Sequence, residues 1–290
     1  PLGSVVNAMS IPTGFDLIDY ACATICEDTK GEEFLNIGLP MGKIYEFIGN
    51  SQGGKTTLAY QCADAMVKDL DGDILALDYE HSSNNLRLRY SKINGCTREE
   101  FDTRVSLYNH ASMSTEFLKE LIHDVVALKK TQKKADMVEW TDVEGNDLHI
   151  YAPTVIILDS VPAMKPNEVL NDPKLDNNMV AGKMAAANSA LLKSIVNMLE
   201  TYNITLMAIN HITTKIVTNS YAPRVVILPG LSDTENLPGG NCWAYIPSYV
   251  FKLTSGQELK ADKDFVEGRF TEVRILKTRS GFNNSRLKFV

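Results

Sequence analysis

The stretch Phe47–Cys62, FIGNSQGGKTTLAYQC, sets two adjacent glycines, a lysine and two threonines between an apolar run and a helical pattern. Gly49, four further residues and then Gly54-Lys55-Thr56 satisfy the spacing G-x-x-x-x-G-K-[ST]. A buried strand is expected before it (Lys43–Gly49, KIYEFIG) and a helix after it (Thr56–Leu70). Each residue type has a chemical reason. Glycines let backbone N–H groups turn toward phosphate oxygens with no Cβ in the way. A helix N-terminus adds a favourable field for an anion. Gly49, Asn50, Ser51, Gln52, Gly53, Gly54, Lys55, Thr56 and Thr57 therefore read as a cradle for the phosphates of ATP. Lys55 reaches the β- and γ-phosphates as a point charge and the Thr56 hydroxyl ligates Mg²⁺.

Further apolar, β-branched runs alternate with helical patterns on both sides of this loop. Asp73–Asp78 (DILALD), Arg104–Tyr108 (RVSLY), Thr154–Asp159 (TVIILD) and Ile204–Asn210 (ITLMAIN) read as buried strands. Ser114–Lys130 and Lys183–Glu200 carry helical stripes. This alternation predicts an α/β fold with a mostly parallel central sheet flanked by helices. After Gly240, YIPSYVFKLTSG, GRFTEVRILKT and SRLKFV are strand-like pieces joined by short polar turns, which predicts a C-terminal antiparallel extension of the same sheet. In TVIILDSVPAM the strand ends in Asp159, a carboxylate placed at the carboxyl edge beside the loop, where it can hold a Mg²⁺-bound water.

The bulk numbers are those of an ordinary globular chain: 290 residues, 44% hydrophobic and 22% charged, enough to bury a core. No apolar run reaches the ~18 residues of a membrane span and no signal-peptide pattern opens the chain. Residues 1–4, PLGS, read as an expression-tag remnant, leaving 5–290 as one core domain. The five cysteines form no C-x-x-C pair and the five histidines are scattered, which disfavours zinc and points to reduced thiols in a cytoplasm. A net charge of −7 argues against a surface coated in basic patches, though local loops and backbone amides can still bind phosphates. Three polar stretches interrupt the pattern: 129–151 reads as a hairpin insertion, and 165–178 and 212–240 as functional or mobile loops.

IPTGFDLIDYA, then GLPMGKIYEFIGNSQGGKTT, then LALDYEH, VIILDSVPAM, AINHI and PGGN occur in the order of the motifs of RecA-type recombinases, and the chain resembles that family from about Ile11 to Val290. The resemblance implies a RecA-like phosphate-loop NTPase core and a DNA-dependent ATPase, bacterial or encoded by a phage in an infected cell. It places Glu80 toward the γ-phosphate, where a carboxylate can orient and deprotonate the attacking water. His211 stands where the family usually carries glutamine, and would sense the γ-phosphate and pass its presence to the next loop. Lys277 and Arg279 correspond to cations that reach the nucleotide of the neighbouring subunit, an effect of about 10³–10⁵ in rate for trans-acting cations. The family's two DNA loops fall on 165–178 and 212–240, and Lys183, Lys215, Ile216, Arg224, Gly239 and Gly240 are the candidate contacts, with Ile216 able to wedge between bases.

The expected partners are single- and double-stranded DNA and further copies of the chain, with no membrane. Only about ten residues precede IPTG, and the chain stops inside a strand pattern at Val290. A trimmed core is therefore expected, monomeric by itself, whose full-length parent forms a helical filament on single-stranded DNA. Two other readings share the loop. A hexameric DNA helicase has the same core, and KTRSGFNNSRLKF resembles a helicase ending. A scaffold that binds ATP without turnover is the third, and intact Lys55, Thr56, Glu80 and Asp159 speak against it.

Overall fold

A computed structural model describes residues 9–27, 30–81, 85–142, 147–172, 177–214, 226–262, 265–279 and 286–289. Eight strands form the main sheet: β1 (Ile44–Gly49), β2 (Asp73–Asp78), β3 (Val105–Tyr108), β4 (Thr154–Asp159), β5 (Ile204–His211), β6 (Tyr249–Asp262), β7 (Phe265–Thr278) and β8 (Arg286–Phe289). Their order is β8-β7-β6-β1-β5-β4-β2-β3. From β6 to β3 every neighbouring pair is parallel, and β7 and β8 add antiparallel strands at the β6 edge. This is an α/β RecA-like core with the C-terminal antiparallel extension.

The continuous apolar runs follow from burial on both faces. On one face Tyr45, Phe47, Ile74, Ala76, Val155, Ile157, Met207 and Ile209 pack against helix α1 (Lys55–Val67) through Leu58, Ala59, Cys62 and Met66. On the other, Ile44, Leu75, Leu77, Ile156, Leu158 and Leu206 meet α2 (Thr115–Thr131) and α3 (Asn177–Thr201). The alternation Val155-in-one-core, Ile156-in-the-other is the two-residue period of a strand. Tyr45 stacks on Tyr249 with ring centroids 4.8 Å apart, and Phe47 on Phe251 at 5.3 Å, which fastens β6 to β1.

Helix α2 starts where Ser114 can cap it, its Oγ accepting from Phe117 N–H at 3.1 Å, and Leu118, Ile122 and Val126 recur at four-residue spacing on its buried side. Helix α3 begins at Asn177, six residues earlier than the stripe from Lys183 suggests. Within the 165–178 stretch a helical turn at Asn167–Leu170 is seated by buried Val169. Within 129–151, Val138–Thr141 pairs antiparallel with Asp147–Ile150, and Val138, Trp140 and Leu148 rest on the α1-side core, with Ile150 buried in it.

Another hairpin, Thr24–Glu27 with Glu33–Asn36, was not foreseen. It follows the IPTG segment, whose conformation Asp19 determines: this buried carboxylate accepts from Thr13 N–H at 2.9 Å, Thr13 Oγ1 at 2.7 Å and Gly14 N–H at 3.2 Å. Among the described residues no helix is long and apolar enough to cross a membrane.

Candidate nucleotide site

Because β1, β2, β4 and β5 are parallel, their carboxyl ends lie along one edge of the sheet, and the register sets His211 beside Gly49 and Asp159 beside both Asp78 and Ile209. Side chains far apart in sequence converge there. Residues 50–54 turn from β1 into α1. Gly49, at φ +150°, lies against Leu253 of β6, where an added Cβ would come within 2.2 Å of the carbonyl oxygen. Gly54 caps α1 at φ +84°. Both positions exclude a side chain for local steric reasons.

Lys55 is only 5% exposed, and its ammonium donates to the Asn50 carbonyl at 2.7 Å, folded back over the loop. Burial lowers its pKa, against the pull of Asp159 and Glu80. Thr56 Oγ1 donates to Asp159 Oδ2 at 3.0 Å, so the two expected Mg²⁺ ligands share one spot. Burial, with the nearby Glu80 charge, pushes the Asp159 carboxyl up to about 6. Glu80 Oε1 takes a hydrogen bond from Ser160 Oγ and lies 3.2 Å from His211 Nε2. Ser160, buried and next to Asp159, was missed as a site residue although the Asp-Ser pair stood directly after the strand. A cleft of about 390 Å³ opens beside the loop, lined by Gln52, Gly54, Thr57, Gln61, Leu253 and Thr271 among others.

Lys277 and Arg279 are not part of this constellation. The phosphate-loop end of β1 aligns through Leu253 with Val273, whereas Lys277 aligns through Val250 with Glu46, four positions and ~13 Å further along β7. The Lys277 ammonium donates to the carbonyls of Ala244 at 3.2 Å and Tyr245 at 2.5 Å, and Arg279 to that of Ile246 at 3.1 Å, at the end of a short helix, Cys242–Tyr245. Burial and Arg279 bring Lys277 down to about 8, opposed by Glu46.

Of the candidate DNA contacts, Lys183 pairs with Glu168 across the 165–178 segment. Gly239 and Gly240, at φ +88° and +98°, press against Val161, Asn188 and Trp243 and against Ala185, where a Cβ would come within 3.0 Å of its neighbours. Packing alone therefore requires glycine at both. Lys215, Ile216 and Arg224 lie outside the described residues.

No family model matches the chain. It is similar to Protein RecA of Ehrlichia ruminantium (strain Gardel), 26% identical over 280 residues, which is 96% of this chain and 61% of that protein. Protein RecA of Nitratidesulfovibrio vulgaris (strain DSM 19637 / Miyazaki F) is 25% identical over 274 residues, 94% of this chain and 61% of that protein. Protein RecA of Wolbachia sp. subsp. Drosophila simulans (strain wRi) is 27% identical over 244 residues, 83% of this chain and 55% of that protein. The chain thus spans about three fifths of the length of the curated relatives it matches. Over nearly its whole length, then, the chain is similar to proteins named RecA, and its sheet carries the glycine loop at its carboxyl edge.

Proposed function

We propose that the chain is the ATPase core of a DNA recombinase that assembles on single-stranded DNA and pairs it with homologous duplex. The observation that carries the reading is the convergence of Lys55, Thr56, Asp159, Glu80 and His211 at the mouth of one phosphate loop. In this scheme loop amides and Lys55 grip the triphosphate, and the nucleoside enters the cleft beside Gln52 and Thr57. Two hard oxygen donors already in contact, Thr56 Oγ1 and Asp159 Oδ2, suit a Mg²⁺ ion and would hold it there. When bound, the ion neutralises charge on the phosphates.

Glu80 holds a water in line with the γ-phosphorus and takes its proton as the new O–P bond forms. The bond to the β–γ bridging oxygen breaks, and ADP leaves with phosphate. Ser160 orients Glu80, and His211 stands where it meets both Glu80 and the γ-phosphate. Binding and hydrolysis act by favouring one of two assembled states, not through a released product.

Lys55→Ala tests the foundation. Its affinity for a fluorescent ATP analogue should fall about 100-fold or more; an unchanged Kd refutes the phosphate-loop reading. The assembly is tested by electron microscopy of the full-length protein with ATP and single-stranded DNA. A continuous helical coat supports recombination, and closed six-membered rings support unwinding.

A further inference from the structure

The hairpin of Thr24–Glu27 and Glu33–Asn36 has an outer face that neither the core nor the nucleotide chemistry uses. Ile25 stands opposite Leu35, and Glu27 opposite Glu33. The two-residue period puts all four on the exposed side. Ile25 is 63% exposed and Leu35 37%, and Ile37, just past the strand, is 46% exposed. Among the described residues, five of the twelve exposed large hydrophobic side chains fall within 17–37, a concentration that marks a docking surface rather than scattered exposure. The facing glutamates add a second sign, since like charges directly across a ladder destabilise it and an incoming cation relieves them. The stretch 16–37 holds six acidic residues against one lysine, so the fitting partner is basic as well as apolar.

This chain carries such a surface itself. Helix Leu86–Asn94, LRLRYSKIN, has three basic residues and no acidic one. Leu86 and Tyr90 are buried, which turns Leu88 and Lys92, four positions apart, outward together with Arg89 at their flank. Leu88 is 40% exposed, Arg89 and Lys92 are exposed, and Arg87 pairs with Asp102.

The two surfaces lie beyond opposite ends of β1. Thr24 lines a cleft with Gly42, Lys43 and Ile44, at the start of that strand. Leu86, Arg89 and Ile93 line a crevice against Thr56 and Thr57, past its end. The strand's six residues set those ends about 20 Å apart. The match is therefore made between copies, and a contact from one end to the opposite end is heterologous.

We propose that the hairpin of one copy docks on helix Leu86–Asn94 of the next, with Ile25 and Leu35 against Leu88, and Glu27 and Glu33 against Arg89 and Lys92. The inference rests on the assembly proposed above and names a surface that makes it. So few side chains form a small contact, and a Kd of about 10–100 µM is expected, which leaves the chain largely monomeric at low micromolar concentration.

Sedimentation equilibrium of the chain from ~5 to ~500 µM, without nucleotide or DNA, reads this contact. The parent's average mass should climb past that of a dimer, because a heterologous contact leaves both ends open. Ile25→Glu/Leu35→Glu should raise the Kd at least ~10-fold. Glu27→Lys/Glu33→Lys and Arg89→Glu/Lys92→Glu should each associate at least ~5-fold more weakly alone. Their equimolar mixture should return to within ~3-fold of the parent Kd, since every hairpin then meets a helix of opposite sign. Circular dichroism checks that each variant is folded, and should a hairpin variant fail, Leu88→Glu carries the same test from the other surface.

A parent that stays monomeric over the whole range overturns the second copy as the occupant. Association unchanged in the variants, or a mixture that does not recover, overturns the hairpin–helix contact and leaves the recombinase assembly to the microscopy above. Recovery in the mixture without a helical coat in that microscopy supports the contact and strikes the recombinase reading alone.

Discussion

Glu80 sits two residues past the end of β2, bound by Ser160 Oγ and 3.2 Å from His211 Nε2. A carboxylate held by side chains at the ends of two other strands is fixed in position, as the proposed action on a water requires. Glu80→Gln keeps the shape and removes the proposed base. ATP-analogue affinity should stay within about threefold while steady-state phosphate release falls ~10²-fold or more, and near-normal release removes Glu80 from the mechanism.

Glu46 makes a different prediction, about stability. Burial raises its carboxyl to about 8 from 4.5, against the weaker pull of Asn210 and Lys277. With the folded value raised, its contribution is full below pH 4.5 and is lost as pH rises through 8. Across that window the protein should lose up to about 1.4 kcal/mol per pH unit relative to Glu46→Gln. Urea unfolding of both proteins at a series of pH values measures the difference, and parallel curves rule it out.

At the scale of elements, what positions the site is the capping and register of a few helices and strands. Helix α2 presses Leu118, Ile122 and Val126 onto the sheet face of β2 and β4, and its first turn is tied by Ser114. Ser114→Ala should cost ~1 kcal/mol in urea unfolding with nucleotide affinity unchanged. A cost below ~0.3 kcal/mol would mean that water or the neighbouring turn satisfies the freed N–H equally well.

Element type was legible wherever the apolar period ran long: β2 and β4 match DILALD and TVIILD residue for residue. The Thr24–Asn36 hairpin was not legible, because four-residue strands joined by the polar run Asp-Thr-Lys-Gly-Glu carry too short a period. The start of α3 was also missed, since Asn177 and Asn178 belong to a polar run with no apolar stripe to mark the helix.

For the whole molecule, the question is how Lys277 and Arg279 come to be so far from the phosphate loop of their own chain. They lie at and just past the carboxyl end of β7, toward the amino end of β1, near another cleft of about 260 Å³ that Arg279, Lys43 and Glu200 help to line. A head-to-tail assembly would present that end of one copy to the nucleotide of the next. If so, Arg279→Ala should bind ATP normally and hydrolyse it poorly, and mixing it with Glu80→Gln should restore turnover. Random mixing pairs an intact Glu80 with an intact Arg279 at about a quarter of the interfaces. Zero recovery in the mixture, with both proteins assembling, places Arg279 outside the neighbour's site.

By itself the sequence determined the glycine loop, the parallel α/β core and the candidates Lys55, Thr56, Asp159, Glu80 and His211. These rest on local rules: a glycine spacing, a strand period, a polar residue at a strand's end. Only the tertiary structure decided that Ser160 holds Glu80, that Asn210 links Glu46 to Pro238, and that Gly239 and Gly240 are demanded by the packing of α3 and Trp243. Those contacts join residues up to 164 positions apart, and their geometry exists only once strand order and register bring the chain segments side by side.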